Sequence, residues 1–143
     1  MELLHQIPIK EFMTKEVVVL LSDETMAEAY QKMKDHRIRH LPVVDKQGLL
    51  IGIFTEKDLN RAYLPRETDS GWYYDKEELN LCILQHFMTK DPLTLTPEGT
   101  LKDAAQIMAR NKFGCIPIVL PETKQLVGII SYIDILKKIA SLF

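Results

Sequence analysis

The sequence predicts a mixed α/β (α+β) fold made of two tandem copies of one unit, each with a small mixed sheet and flanking helices. Three observations carry that prediction. FMTK at 12–15 returns unchanged at 87–90, and residues 12–44 match 87–119 at eleven of thirty-three positions, among them Leu20/Leu95, Thr25/Thr100, Ala29/Ala104, Met33/Met108 and Pro42/Pro117. After a one-residue length change the match resumes, pairing Leu50, Gly52, Ile53 and Asp58 with Leu126, Gly128, Ile129 and Asp134. Both copies also read in one order: strand, helix, strand, strand, helix. One copy has too few elements to close a core, so the two are expected to be related by a pseudo-two-fold axis and to bury their apolar sheet faces together.

In chain order, the run VVVLL at 17–21 reads as a strand because of its β-branched residues. Thr25 with Glu28, and Thr100 with Asp103, have the spacing of a capping box that opens a helix. Met26, Ala29, Tyr30 and Met33 then keep helical spacing, as do Leu101, Ala104, Ala105 and Met108. Each such helix is apolar on one face only. LPVVDKQGLLIGIF at 41–54 reads as a hairpin turning through Asp45–Gly48, and IPIVLPETKQLVGII at 116–130 as one turning through Pro121–Gln125. Thr55 and Ser131 follow directly, each with an aspartate three residues on, and open the closing helices. The division expected is repeat 1 over 1–64, a connecting loop over 65–76 and repeat 2 over 77–143. Leu79, Cys82, Ile83 and Phe87 are expected to restart a helix after that loop.

Bulk properties narrow the function classes. With 143 residues and a net charge of −2, the chain can bury a core but carries no global field for polyanions, so nucleic-acid binding is not expected. No apolar run approaches the roughly 20 residues of a spanning helix, so no membrane insertion is expected. The two cysteines, Cys82 and Cys115, lack a CxxC partner, and no secretory leader opens the chain; a cytoplasmic location follows as the expectation. Both cysteines read as small buried hydrophobes and not as nucleophiles.

The order FMTK, β-branched strand, TxxEA, RHLPVVD, GIFTxxD, present twice, resembles the cystathionine-β-synthase-type (CBS) domain family, and the chain resembles one CBS pair, also called a Bateman module. The resemblance covers nearly the whole chain. It implies a regulatory module without enzymatic activity that senses an adenosine-containing ligand, AMP, ADP or ATP foremost, in clefts between the two repeats. The alternatives are an S-adenosylmethionine sensor and an unliganded dimerisation or scaffold module that regulates a partner enzyme or transporter. The resemblance also implies a homodimer formed through the helices that flank each repeat, where Leu59, Ala62, Ile135, Leu136 and Ile139 offer apolar side chains. No cofactor is required beyond the adenine nucleotide as regulatory ligand.

Two readings stand for Thr55–Asp58 and Ser131–Asp134. Hydroxyl and carboxylate at this spacing cap a helix, and the same pair can receive a phosphate and the ribose hydroxyls of a nucleotide. By resemblance, each ligand site joins the TxxD end of one repeat to the first strand and the pre-proline residues of the other. The favoured site then combines Ser131 and Asp134 with Val17, Val18, Arg39 and His40. The weaker one combines Thr55 and Asp58 with Pro92, Leu93, Gly114 and Cys115, because Gly114 and Cys115 replace the basic pair. Lys34 and Arg37 read instead as a solvated helix end. His36 and His40 are four apart but do not share a continuous helix, so no metal site is expected. Trp72, Tyr73 and Tyr74 read as a loop anchor or dimer contact, with an adenine-covering lid as the alternative.

Overall fold

The structure is a computed structural model that describes residues 2–63, 66–68, 71–73 and 75–143. The chain forms two compact units whose boundaries cut across the sequence repeats: Val18–Pro92 is one, and the segment up to Val17 with Leu93–Phe143 is the other. Both are built alike.

In the Val18–Pro92 unit, β1 (Leu20–Leu21) lies parallel to β2 (His40–Val44), which pairs antiparallel with β3 (Leu50–Thr55). Helix α1 (Met26–His36) connects β1 to β2. Thr25 caps it by accepting the Glu28 N–H at 3.2 Å, and Arg37 ends it in the left-handed region at φ 54°. The β2–β3 turn closes on Gly48, whose φ of 83° suits a residue without a side chain. Helix α2 (Glu56–Ala62) follows β3. Leu20, Met26, Ala29, Met33, Leu41, Val43, Phe54 and Leu59 make the core, which Leu79 and Leu84 complete.

The connecting segment differs from the expected loop. Arg66–Thr68 (β4) and Gly71–Tyr73 (β5) pair antiparallel, with Arg66 opposite Tyr73 and Thr68 opposite Gly71. Threonine, tryptophan and tyrosine favour extended backbone, and the turn-forming composition between them had hidden the pairing. The reading of Trp72, Tyr73 and Tyr74 as an aromatic anchor concerns side chains outside the described residues. The helix expected over 79–87 is also broken: α3 (Lys76–Leu79) is one turn, and Leu84–His86 is a separate 3-10 turn. Ile83 between them is extended, at φ −87° and ψ 114°, and both Leu81 and Ile83 are exposed. The apolar spacing there is a coincidence of composition and not one helical face. VVVLL likewise forms a regular strand only at Leu20–Leu21.

The Val18–Pro92 sheet gains a fourth strand from the second FMTK: β6 (Thr89–Lys90) pairs antiparallel with β3, Ile53 opposite Thr89 and Gly52 opposite Lys90. In the other unit, α4 (Leu101–Asn111) precedes β7 (Cys115–Val119), β8 (Leu126–Ser131) and α5 (Tyr132–Ala140). There Leu95 bridges Ile118 in parallel, and Thr14 of the first FMTK bridges Ile129 antiparallel. Thr14 exchanges two hydrogen bonds with Ile129, at 2.8 and 3.0 Å. Each FMTK therefore docks on the β-hairpin of the other sequence repeat. The core of this unit comprises Ile7, Ile9, Leu101, Ala104, Met108, Ile116, Ile118, Ile130 and Ile135. Among the described residues no helix is long and apolar enough to cross a membrane.

Leu59 and Ile135, expected at a dimer contact, are core residues at 2% and 6% exposure. Leu136, expected there too, is 63% exposed, and Tyr132 and Ile133 on the same helix are exposed beside it in sequence.

Candidate functional site

Both TxxD ends are complete capping boxes. At α2, the Thr55 hydroxyl accepts the Asp58 N–H at 3.2 Å, and Asp58 Oδ2 accepts the Thr55 N–H at 2.9 Å. At α5, the Ser131 hydroxyl accepts the Asp134 N–H at 3.3 Å, and Asp134 Oδ2 accepts the Ser131 N–H at 2.9 Å. The capping reading of both motifs is therefore realised. It leaves Oδ1 of each aspartate to be accounted for.

The two Oδ1 atoms differ. Asp58 is buried, and its Oδ1 accepts a 2.9 Å bond from Arg61 Nη2, which also donates to the Phe87 carbonyl at 2.8 Å. Asp134 is half-buried, and its Oδ1 is met by the Thr14 hydroxyl at 3.3 Å. A hydroxyl at that distance is a weak partner for a carboxylate, and its replacement by another hydroxyl costs little. Thr14 was not singled out in the sequence. Its signal was the exact return of FMTK, one copy of which pairs with a hairpin in each unit.

Arg39 and His40 are set by the β2–β3 register beside the Thr55–Asp58 end: His40 lies opposite Thr55, and the Arg39 carbonyl accepts the Glu56 N–H at 2.9 Å. Arg39 is exposed and His40 half-buried. In the other unit Cys115 lies opposite Ser131, and the Gly114 carbonyl accepts the Tyr132 N–H at 3.4 Å. Val17 and Val18 are half-buried and precede the first regular strand, whereas Leu93 is exposed beside half-buried Pro92. The structure thus brings Arg39, His40, Thr55 and Asp58 together within one unit. It brings Gly114, Cys115, Ser131, Asp134 and Thr14 together within the other.

Burial and the nearby positive charges of Arg39 and Lys57 hold the His40 pKa below its ordinary 6.5, against the opposing pull of Glu56 and Asp58. The unfolded chain then takes up more protons than the folded one below that value, so stability is expected to fall as the pH drops from about 6.5. His40→Gln should flatten this acid limb, which urea midpoints measured at neutral pH and about one unit below 6.5 would show. Burial pushes the Cys115 thiol up to about 12, which leaves it no thiolate for chemistry. Cys82 is half-buried and directs its sulfur at the Ala62 and Glu78 carbonyls.

Comparison with known proteins places the chain. The CBS domain family model matches residues 9–65 and again 84–141. An uncharacterized 17.7 kDa protein of Acidianus ambivalens is 33% identical over 127 residues, covering 89% of this chain and 70% of that relative. Other curated relatives are longer, and the chain spans 43% and 23% of the length of two of them. Among solved structures, CBSX2 in complex with AMP superposes with a TM-score of 0.78 at 21% identity, covering 95% of this chain and 98% of that one. The CBS domain pair of protein MJ0100, in complex with 5′-methylthioadenosine and S-adenosyl-L-methionine, does so at 0.76 and 24%, covering 95% and 98%. With the family model matched twice along its length, the chain belongs to the CBS domain family and carries two of these domains in tandem.

Proposed function

We propose that the chain is a regulatory module that binds an adenosine-containing ligand, an adenine nucleotide foremost, and has no enzymatic activity of its own. The observation that carries the reading is Asp134, a half-buried carboxylate whose Oδ1 is met by a single long contact from a hydroxyl. A ribose diol offers it the same chemistry twice over. Arg39 and His40 carry donors of the kind a phosphate takes. Support comes from the kinship to CBS pairs, two of which have been solved with AMP or with 5′-methylthioadenosine and S-adenosyl-L-methionine. The ligand acts by population shift: it favours the arrangement it binds better, and a regulated partner reads that arrangement. A thermal-shift comparison of AMP, ADP, ATP and S-adenosylmethionine tests the reading, since a ligand at about 100 times its Kd stabilises by roughly 2.7 kcal/mol. No shift with any of them would overturn it.

A second reading, dimerisation or scaffolding without a ligand, is favoured by Ile133 and Leu136, 62% and 63% exposed on α5. The two readings are compatible, and a homodimer is expected under either. Sedimentation at micromolar concentration should show a species of about twice the chain's mass, shifted towards the monomer by Ile133→Asp/Leu136→Asp. A wild type that sediments only as monomer would remove the dimer from both readings.

A further inference from the structure

We propose that Arg61 is an internal occupant of the Thr55–Asp58 end, so that the chain takes one adenosine-containing ligand and not two. The inference rests on the ligand reading above and adds to it the number of sites and the residue that sets it. Each carboxylate oxygen of Asp58 already accepts a bond within the chain, Oδ2 from the Thr55 N–H and Oδ1 from the Arg61 guanidinium, and the second of these partners is a cation that a ribose hydroxyl would have to displace. The Asp58 side chain is only 10% exposed, so its charge is held where water compensates it poorly, and the guanidinium is the group that neutralises it. Arg61 is also fixed from a second direction, through its 2.8 Å bond to the Phe87 carbonyl at the start of the second FMTK. Removing it from Asp58 would free a carbonyl as well as a carboxylate. The other unit lacks this arrangement. Lys137 holds the equivalent place on α5, and among the described residues the Asp134 carboxylate pairs with Ser131 and Thr14 and not with that lysine. The contrast is one of contact: Arg61 Nη2 reaches both the Asp58 carboxylate and the Phe87 carbonyl, whereas Asp134 is met by hydroxyls and a backbone N–H.

Calorimetric titration with AMP and, separately, with S-adenosylmethionine tests the proposal on the full chain. Arg61 is itself 64% exposed at its side chain, so Arg61→Ala should fold. Wild type is expected to bind one ligand per chain, Arg61→Ala two, and Asp58→Ala/Arg61→Ala one again. Two events of comparable affinity in wild type would overturn the proposal, as would a single event in Arg61→Ala. Absence of binding in every variant would instead overturn the ligand reading, and the occupancy proposal with it.

Discussion

Gly52→Ala is expected to destabilise the protein by about 1–3 kcal/mol, and Gly128→Ala by distinctly less. A β-carbon on Gly52 would lie 2.8 Å from the Thr89 carbonyl oxygen and 2.9 Å from Met88 Sδ. The carbonyl belongs to β6, which is bonded to β3 at this register, so it yields only if the FMTK strand leaves the sheet. At Gly128 the worst approach, 2.6 Å, is to Met13 Sδ, the far part of a flexible side chain, although the Thr14 carbonyl follows at 3.1 Å. A methionine can change rotamer where a paired carbonyl cannot. Loss of glycine's freedom in the unfolded chain returns about 0.4–1 kcal/mol to both variants, so Gly128→Ala should come out near neutral or mildly destabilised. Urea denaturation of the two variants, with Met13→Ala and Met88→Ala added to each in turn, separates the causes. Met13→Ala should rescue part of the Gly128→Ala loss, and Met88→Ala should leave most of the Gly52→Ala loss in place. Equal losses for the two glycines would mean that the FMTK strands do not set the space above β3 and β8.

The close approach of each FMTK to a hairpin glycine shows where a sequence stops being informative. The repetition of FMTK, Gly52/Gly128 and the TxxD motifs is visible by alignment, and the helix caps follow from a hydroxyl and a carboxylate three residues apart. Those are local rules, and Thr100, Thr55 and Ser131 obey them in full. Strand pairing by a two-residue segment is not local. Thr89 and Thr14 carry no periodic signal of their own, and nothing in their neighbourhood says which hairpin receives them. The same distinction runs through the candidate site. That Asp58 and Arg61 can pair is legible from their i,i+3 spacing, whereas the Phe87 carbonyl that fixes the arginine is 26 residues away and belongs to the exchanged segment. Resemblance named Arg39 and His40 as ligand residues, but it took the β2–β3 register to show that they stand beside Thr55 within one unit.

Asp134→Ala is expected to weaken binding of the adenosine-containing ligand roughly tenfold or more. The carboxylate would lose charge-assisted hydrogen bonds to the ribose, about 1.5–3 kcal/mol where a charged group takes part, and about 1.4 kcal/mol is a factor of ten. Arg39→Ala should have an effect of similar size on a phosphorylated ligand by removing a donor to the phosphate, and little effect on S-adenosylmethionine, which has no phosphate to lose. The comparison of the two ligands therefore isolates the charge from any general damage. Asp58→Ala should spare tight binding, because the acceptor it removes is already engaged by Arg61. Since both aspartates close capping boxes, each substitution can cost about 0.5–2 kcal/mol of stability irrespective of ligand, and the titrations must be made well below the unfolding transition. Thr14→Val offers a control that leaves the α5 cap intact, for it removes only the hydroxyl that meets Asp134 Oδ1 at 3.3 Å. If Asp58→Ala abolished tight binding while Asp134→Ala left it unchanged, the register that sets His40 opposite Thr55 would define the ligand site, and the basic pair would serve the aspartate of its own unit. If neither aspartate mattered while the protein still bound, the ribose would have to be held elsewhere, and the case for Asp134 as its acceptor would be lost.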